Sequence, residues 1–340
     1  MSTRPETAAS SAPIAPAGAT SADVTPRVAA TGVRTGPEGV RRAWRMPAWT
    51  ARAVRSGPLL GLASVAAVAA AWELYKVLGP ADGWLLGATR MLPRTTDLAM
   101  PHTWDMAARL LEPVSGGAGA PPLWSAVLRA GAMSLGVASV GWLLGLVVGM
   151  ALALAMQRVR LVEAAVLPLV VLSQTVPLIA LAPLVRSWGS RLEVGPVQWA
   201  PWMSVAVIAS YLAFCPVAVG MLRGLQSPTP IHAELMRAYG AGWWSTLVRL
   251  RLPASVPYLL PALRLAAAGA VIGAVVAEVA TGLPGGLGRM IVEFAAFSAS
   301  DPAKPWAPIF GAVALGLLAA GLVAALGSSL RRFRRLEAAR

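Results

Sequence analysis

The sequence predicts an all-α fold: a polytopic membrane bundle of six transmembrane helices with one long, patterned loop on its cytoplasmic side. Three observations predict it. The 340 residues are 56% hydrophobic and only 13% charged, whereas a soluble domain carries about a quarter charged residues; the deficit is what a lipid-facing surface demands, because charge in hydrocarbon is costly. Six apolar segments each approach or exceed the ~20 residues that span a ~30 Å hydrocarbon core as a helix. The arginines gather at the ends of those segments rather than along one soluble face.

Taken in order, residues 1–43 are rich in Ala, Pro, Ser, Thr and Gly without apolar periodicity and read as a disordered tail. No apolar stretch follows the first charges, so they do not read as a signal peptide. The expected spans are 58–78, 127–156, 161–187, 199–222, 257–281 and 306–330. Backbone amides in lipid must pair internally, so the spans are expected to be helical. The third carries Pro168, Pro177 and Pro183 and is the poorest candidate for one straight helix. Residues 44–122 group as a first span with a long external loop, including a short interfacial helix near 104–111. Residues 123–330 form the main transmembrane domain and 331–340 a basic tail. Arg41, Arg42, Arg45, Arg52 and Arg55, then Arg158 and Arg160, then Arg223, Arg237, Arg249 and Arg251, then Arg331, Arg332, Arg334 and Arg335 all fall on one face if both termini are cytoplasmic. Arg90, Arg94 and Arg109 are exceptions in the longest external loop, where that rule is weak.

The net charge of +14 does not make this a nucleic-acid binder, because the positive charge follows the span ends. A single cysteine, Cys215, and two histidines, His102 and His232, leave no intrachain disulfide and no cysteine metal site. No metal, cofactor or catalytic set is expected.

The loop at 223–256 is long for a connection between packed helices, and it is patterned. Thr229 suits an N-cap and Pro230 the first helical position. Ile231, Leu235, Ala238 and Tyr239 share a helical face, and Gly240 suits the left-handed C′ position. A second short segment at 243–250 is expected to stop at Leu252-Pro253. An amphipathic helix outside the hydrocarbon needs a surface for its apolar face, either lipid or a partner protein.

Here the sequence resembles importer permeases of the ATP-binding-cassette class. Their cytoplasmic pattern is Glu-Ala-Ala, three residues, Gly, nine residues, Ile, one residue, Leu-Pro. Glu234, Gly240, Leu250, Leu252 and Pro253 stand at that spacing; Leu235 and Met236 replace the alanines and Leu250 replaces the isoleucine. Pro257, Arg264, Glu278 and Gly286-Leu287-Gly288 extend the likeness downstream. Upstream, Gln174-Thr175-Val176-Pro177, Ala182-Pro183-Leu184 and Trp188-Gly189 look like the branch serving nitrate, sulfonate, taurine and thiamine-precursor uptake. The resemblance covers roughly residues 123–330. It implies a permease subunit of an ATP-driven importer for a small solute. A second permease chain, a second copy as the first expectation, completes the path, an external binding protein delivers the solute, and cytoplasmic ATPase subunits receive the loop. It also implies that Glu234, Leu235, Arg237, Ala238, Gly240, Leu250, Leu252 and Pro253 couple to the ATPase, with Glu234 and Arg237 setting register by charge. The chain has no phosphate-binding loop of the Gly-Lys-Ser/Thr type, so ATP hydrolysis falls to another chain.

Plainer readings stand beside these. Glu278, at the edge of the fifth span, is either functional or bonded to a neighbouring helix. Gln174, Thr175 and Pro177 face the solute path, or the polar pair satisfies carbonyls freed by the proline. Glu73 and Lys76 are spaced for an intrahelical pair. Gly141, Gly145 and Gly149 suit close helix packing, Cys215 suits packing, and Trp199, Trp202 and Trp306 suit interfacial belts. An ion-coupled transporter or channel is the alternative function, but no convincing internal repeat and few mid-span charges favour it. A membrane enzyme is disfavoured by the poverty of His, Cys and paired carboxylates.

Overall fold

The computed structural model describes residues 57–86, 89–90, 92–117, 119–194 and 197–329. The tail at 1–43, the basic tail at 331–340 and the arginines at 41, 42, 45, 52, 55, 331, 332, 334 and 335 lie outside them. The chain divides into two units, Met1–Ala63 and Ser64–Arg340. Of the first, residues 57–63 are described, and they are helical.

The helices are α1 (Gly57–Leu78), α2 (Thr103–Ala108), α3 (Leu123–Arg158), α4 (Arg160–Ser173), α5 (Leu178–Gly189), α6 (Pro201–Gln226), α7 (Pro230–Ala238), α8 (Trp243–Thr246), α9 (Leu252–Thr281), α10 (Leu287–Ala295) and α11 (Trp306–Ser329). Two minimal antiparallel hairpins, β1 (Leu85–Leu86) with β2 (Thr89–Arg90) and β3 (Glu193–Val194) with β4 (Val197–Gln198), interrupt them. Among the described residues, five helices are long and apolar enough to cross a membrane, and six spans result if the bent pair α4–α5 counts as one. That pair bends by 103° because Pro177 has no N–H to continue the ladder. Tyr211 on α6 donates its hydroxyl to the carbonyl of Ser173 at the break.

The centre of the bundle is α6, packed between α3 and α9. Small residues make the approach possible. A Cβ on Gly145 would lie 2.6 Å from that of Ala213, and one on Gly149 2.8 Å from that of Val217, so the glycine stripe of α3 serves close packing. Around this contact Ala138, Ala206, Ala209, Ala213, Ala266 and Ala274 are all buried.

Two sequence expectations are corrected. The segment after α7 does not stop at Leu252-Pro253. α8 passes through a π-turn (Leu247–Arg251) straight into α9, giving one continuous helix over Trp243–Thr281. Pro253 falls just after the π-turn, where the backbone ladder changes register. Nor do Glu73 and Lys76 pair with each other. Glu73 accepts from the backbone N–H of Thr103 at 2.7 Å and from its hydroxyl at 2.8 Å, and lies 2.8 Å from His102 Nδ1. Lys76 bonds Asp97 at 2.5 Å and the carbonyl of Met100. Each side chain anchors α1 to the loop preceding α2. Trp72 adds a bond from its indole to Pro101 at 3.2 Å and an edge contact with Trp306.

Candidate functional site

The loop after α6 is built of two unlike halves. α7 begins at Thr229 in extended conformation with Pro230 in the first turn. Thr229 places its hydroxyl 2.8 Å from His232 Nδ1 and makes no side-chain bond to the helix amides. At the other end, the amide of Gly240 donates to Arg237 and that of Ala241 to Met236, both at 2.9 Å, with Gly240 at φ +71°. These are the two bonds of a Schellman end, and they need a left-handed residue where only glycine is free of a Cβ penalty. No residue of α7 is buried. Ile231, Leu235 and Tyr239 are 69%, 53% and 81% exposed, so this apolar face has no partner within the described chain. Glu234, Arg237 and Ala238 are exposed as well, and neither charge has an ion pair among the described residues.

The second half is held to the bundle. Leu247 is buried with Met156, Met221, Leu222 and Leu225, and Trp243 and Leu252 pack on that cluster. Arg158, at the end of α3, lies over the Trp243 ring at 4.9 Å, an attraction between cation and ring face. Leu250 and Pro253 are half-buried. The motif residues therefore divide. Glu234, Leu235, Arg237, Ala238 and Gly240 lie on the free half, and Leu250, Leu252 and Pro253 on the anchored half.

At the far end of α9, Glu278 is fully buried. Its Oε2 accepts from Ser134 Oγ at 2.9 Å and from the amide of Gly288 at 2.8 Å, while Ser134 Oγ accepts from the amide of Leu287 at 2.9 Å. Leu287 and Gly288 open α10, whose N-cap Gly286 has no side chain to offer. The carboxylate and the serine thus fulfil the capping role for a helix N-terminus, and a Cβ on Gly286 would strike the carboxylate. The far side of α9 is closed by Arg186 of α5, which donates to the carbonyl of Thr281.

Gln174, Thr175 and Pro177 form the turn between α4 and α5. Thr175 returns its hydroxyl to Leu172 at 2.8 Å, and Gln174 reaches Ser173 at 3.2 Å and the carbonyl of Tyr211 at 3.4 Å. No hydrogen bond among the described residues joins this turn to Glu278. Sequence reasoning missed Ser134, Tyr211, Arg186 and Trp243; each acts through a contact between elements far apart in the chain.

Residues 145–334 match the family model described as "Binding-protein-dependent transport system inner membrane component". That match takes in more than half of the chain, including the loop, Glu278 and α10. The chain belongs to this family. It is a permease subunit of an ABC importer, and the resemblance read from the loop motif is borne out. The permease is 36% identical over 208 residues to the formylaminopyrimidine transport permease protein ThiX of Halalkalibacterium halodurans, covering 60% of the permease and 77% of that protein. It is 26% identical over 197 residues to a Bacillus subtilis protein, SsuC, named as a transport permease for aliphatic sulfonates, covering 58% and 67% of the two. A solved structure titled as an amino acid ABC transporter with histidines aligns over 62% of the permease and 94% of its own chain, at 16% identity and a TM-score of 0.46. The family match places the permease in a multi-component transport system, with the ATPase and binding-protein partners that such a system implies. The ion-coupled alternative is not favoured.

Proposed function

We propose that the permease couples to a separate ATPase through the loop at 234–253, with α7 as the element that docks. The exposed apolar face of α7 carries this reading. A nine-residue helix is too short to hold itself in water, and an apolar face left unburied by its own chain is suited to a groove on a partner. Ile231, Leu235 and Tyr239 supply contact, Glu234 and Arg237 supply register by charge, and Gly240 fixes the angle at which the chain turns back. The anchored half, Leu250, Leu252 and Pro253, passes the displacement into α9. On this reading the loop end of the bundle is cytoplasmic, as are both termini, and residues 123–330 act as the transmembrane domain with a first span and external loop at 44–122 added in front.

In this proposal two copies of the permease enclose the solute path and an external binding protein supplies the solute. Gln174, Thr175 and Pro177 lie on the path at the bend, where helix ends leave polar groups beside an apolar wall. Glu278 contributes by holding the outer segment in place. The solute is of the thiamine-precursor type, a small heterocycle, and the identity to the formylaminopyrimidine permease supports it. A sulfonate-like anion is the second reading, supported by the Bacillus subtilis relative.

The experiment is uptake by cells carrying Glu234→Arg or Gly240→Asp. Both variants are expected to insert at normal levels and to lose uptake and co-purification with the ATPase. Normal uptake by both overturns the docking assignment. For the solute, competition of labelled thiamine-precursor uptake by sulfonates separates the two readings.

A further inference from the structure

The geometry points to a second binding site at the loop end of the bundle, for a phosphate group. A pocket of about 310 Å³ opens there between the end of α3, the first turn of α4, the end of α6 and the π-turn, with Ala233 of α7 on its rim. Its polar walls are Gln157, Arg160, Glu163, Gln226 and Arg251. By contrast, the pockets between α3, α9 and α11 are lined almost wholly by apolar side chains.

The charges in it do not balance. Glu163 is the one carboxylate, and one of its oxygens already accepts from Gln226 at 2.9 Å. Arg160 and Arg251 face the same space, and neither has an ion pair among the described residues. Arg251 is half-buried, and a charge partly removed from water without a counter-charge is unfavourable. Arg160, which is exposed, and Arg251 border the same concavity, and guanidinium groups bind the oxygens of a phosphate through paired N–H bonds. The amides opening α4 add to the attraction for an anion.

Inorganic phosphate presents such oxygens, and so does the headgroup of an anionic phospholipid. Both are at hand, since the pocket lies where four helices end, at the level of lipid headgroups and water. The volume is about ten times the ~30 Å³ share of one water, which accommodates a phosphate with its neighbouring hydroxyls. An occupant would touch α7, α4 and the start of α9 together. The site does not depend on the docking assignment above.

The test uses the full-length permease in lipid nanodiscs and has two arms. In the first, discs of phosphatidylcholine alone are titrated with inorganic phosphate. In the second, phosphatidylglycerol replaces part of the phosphatidylcholine, and lipid retained after mild delipidation is read by native mass spectrometry. Thermal unfolding is followed in both. Wild type is expected to be stabilised in at least one arm. Arg160→Gln with Arg251→Gln is expected to lower that affinity by roughly tenfold to a hundredfold, the effect of losing charged hydrogen bonds. Response to phosphate identifies a free anion, and selective retention of phosphatidylglycerol identifies a lipid. Arg223→Gln, an exposed charge at the same end but outside the pocket, is the control. No response in either arm overturns the proposal, as does an equal loss from Arg223→Gln, which marks diffuse attraction rather than a built site.

Discussion

Replacing Gly240 isolates the backbone geometry of the α7 end from every other feature of the loop. The residue sits at φ +71°, and a Cβ placed on it meets nothing within 4 Å. Steric neighbours therefore add nothing, and the cost of a side chain is the cost of the left-handed conformation alone. That is about 1–2 kcal/mol for an ordinary L-residue, less for Asn, whose short polar side chain tolerates this region, and more for a β-branched one. At 1.4 kcal/mol per decade, roughly fivefold to thirtyfold fewer molecules would keep the Schellman end. The assay is uptake rate per inserted permease for the series Gly, Asn, Ala and Val at position 240, beside thermal unfolding of the purified protein. Uptake should fall in that order. The unfolding midpoint should barely move, because no residue of α7 is buried. The reasoning is refuted if Val supports uptake as well as Gly, or if Asn is as defective as Val.

Other consequences are as open to measurement. Glu278→Ala leaves the amide of Gly288 and the hydroxyl of Ser134 without their acceptor, at a cost of about 1–3 kcal/mol. Glu278→Gln keeps an acceptor and should lose less in a detergent melt; equal losses would end the capping account. Gly145→Leu drives a side chain into Ala213 and should destabilise by at least 1–3 kcal/mol, as overpacking does, whereas Gly136→Leu, which faces open space, should be near neutral in the same melt. The hydrogen bond and charge of Lys76 hold the Asp97 carboxyl below the usual carboxylate range. A depressed folded-state pKa contributes stability above the ordinary value and loses it as pH falls through the folded one. The midpoint difference between wild type and Asp97→Asn should therefore be present at neutral pH and shrink on acidification below about pH 4; a difference that grows instead contradicts the pairing.

What could be read from the sequence was whatever depends on near neighbours in the chain. The apolar runs placed the spans, because a helix in lipid is specified by length and composition. Pro177 announced the break in the third span, since a missing N–H acts within one turn. Gly240 announced the end of α7 because a left-handed residue after a helix is likewise a local requirement. Glu73 and Lys76 were misjudged because their three-residue spacing on a helix looks like a pair, while the competing partners, His102, Thr103 and Asp97, come from a loop more than twenty residues away. The stop expected at Leu252-Pro253 failed for another reason. Proline opens a helix as readily as it ends one, and only the packing of Leu247 and Trp243 on the bundle decides that the chain continues as helix through a π-turn. Glu278 stood out as a carboxylate at the edge of a span, but its partner Ser134 lies 144 residues earlier, and no local pattern connects them.

The continuity of Trp243–Thr281 has a mechanical consequence. Thirty-nine residues of helix form a rod of roughly 58 Å at 1.5 Å per residue. Its compliance is unevenly distributed. Pro253, Pro257 and Pro261 recur every fourth residue from its eleventh residue to its middle, so the backbone bonds they delete lie along one side of that stretch. Beyond Pro261 the ladder has no proline through Thr281. The rod is soft over that stretch and stiff beyond it, like a shaft with a flexible joint set part-way along. A sideways push at Trp243 is taken up as a change of angle at the prolines. A push along the axis would reach Glu278, whose carboxylate accepts from the first-turn amide of α10. On the coupling proposed above, the sequence of this one helix would set which direction of motion passes along it.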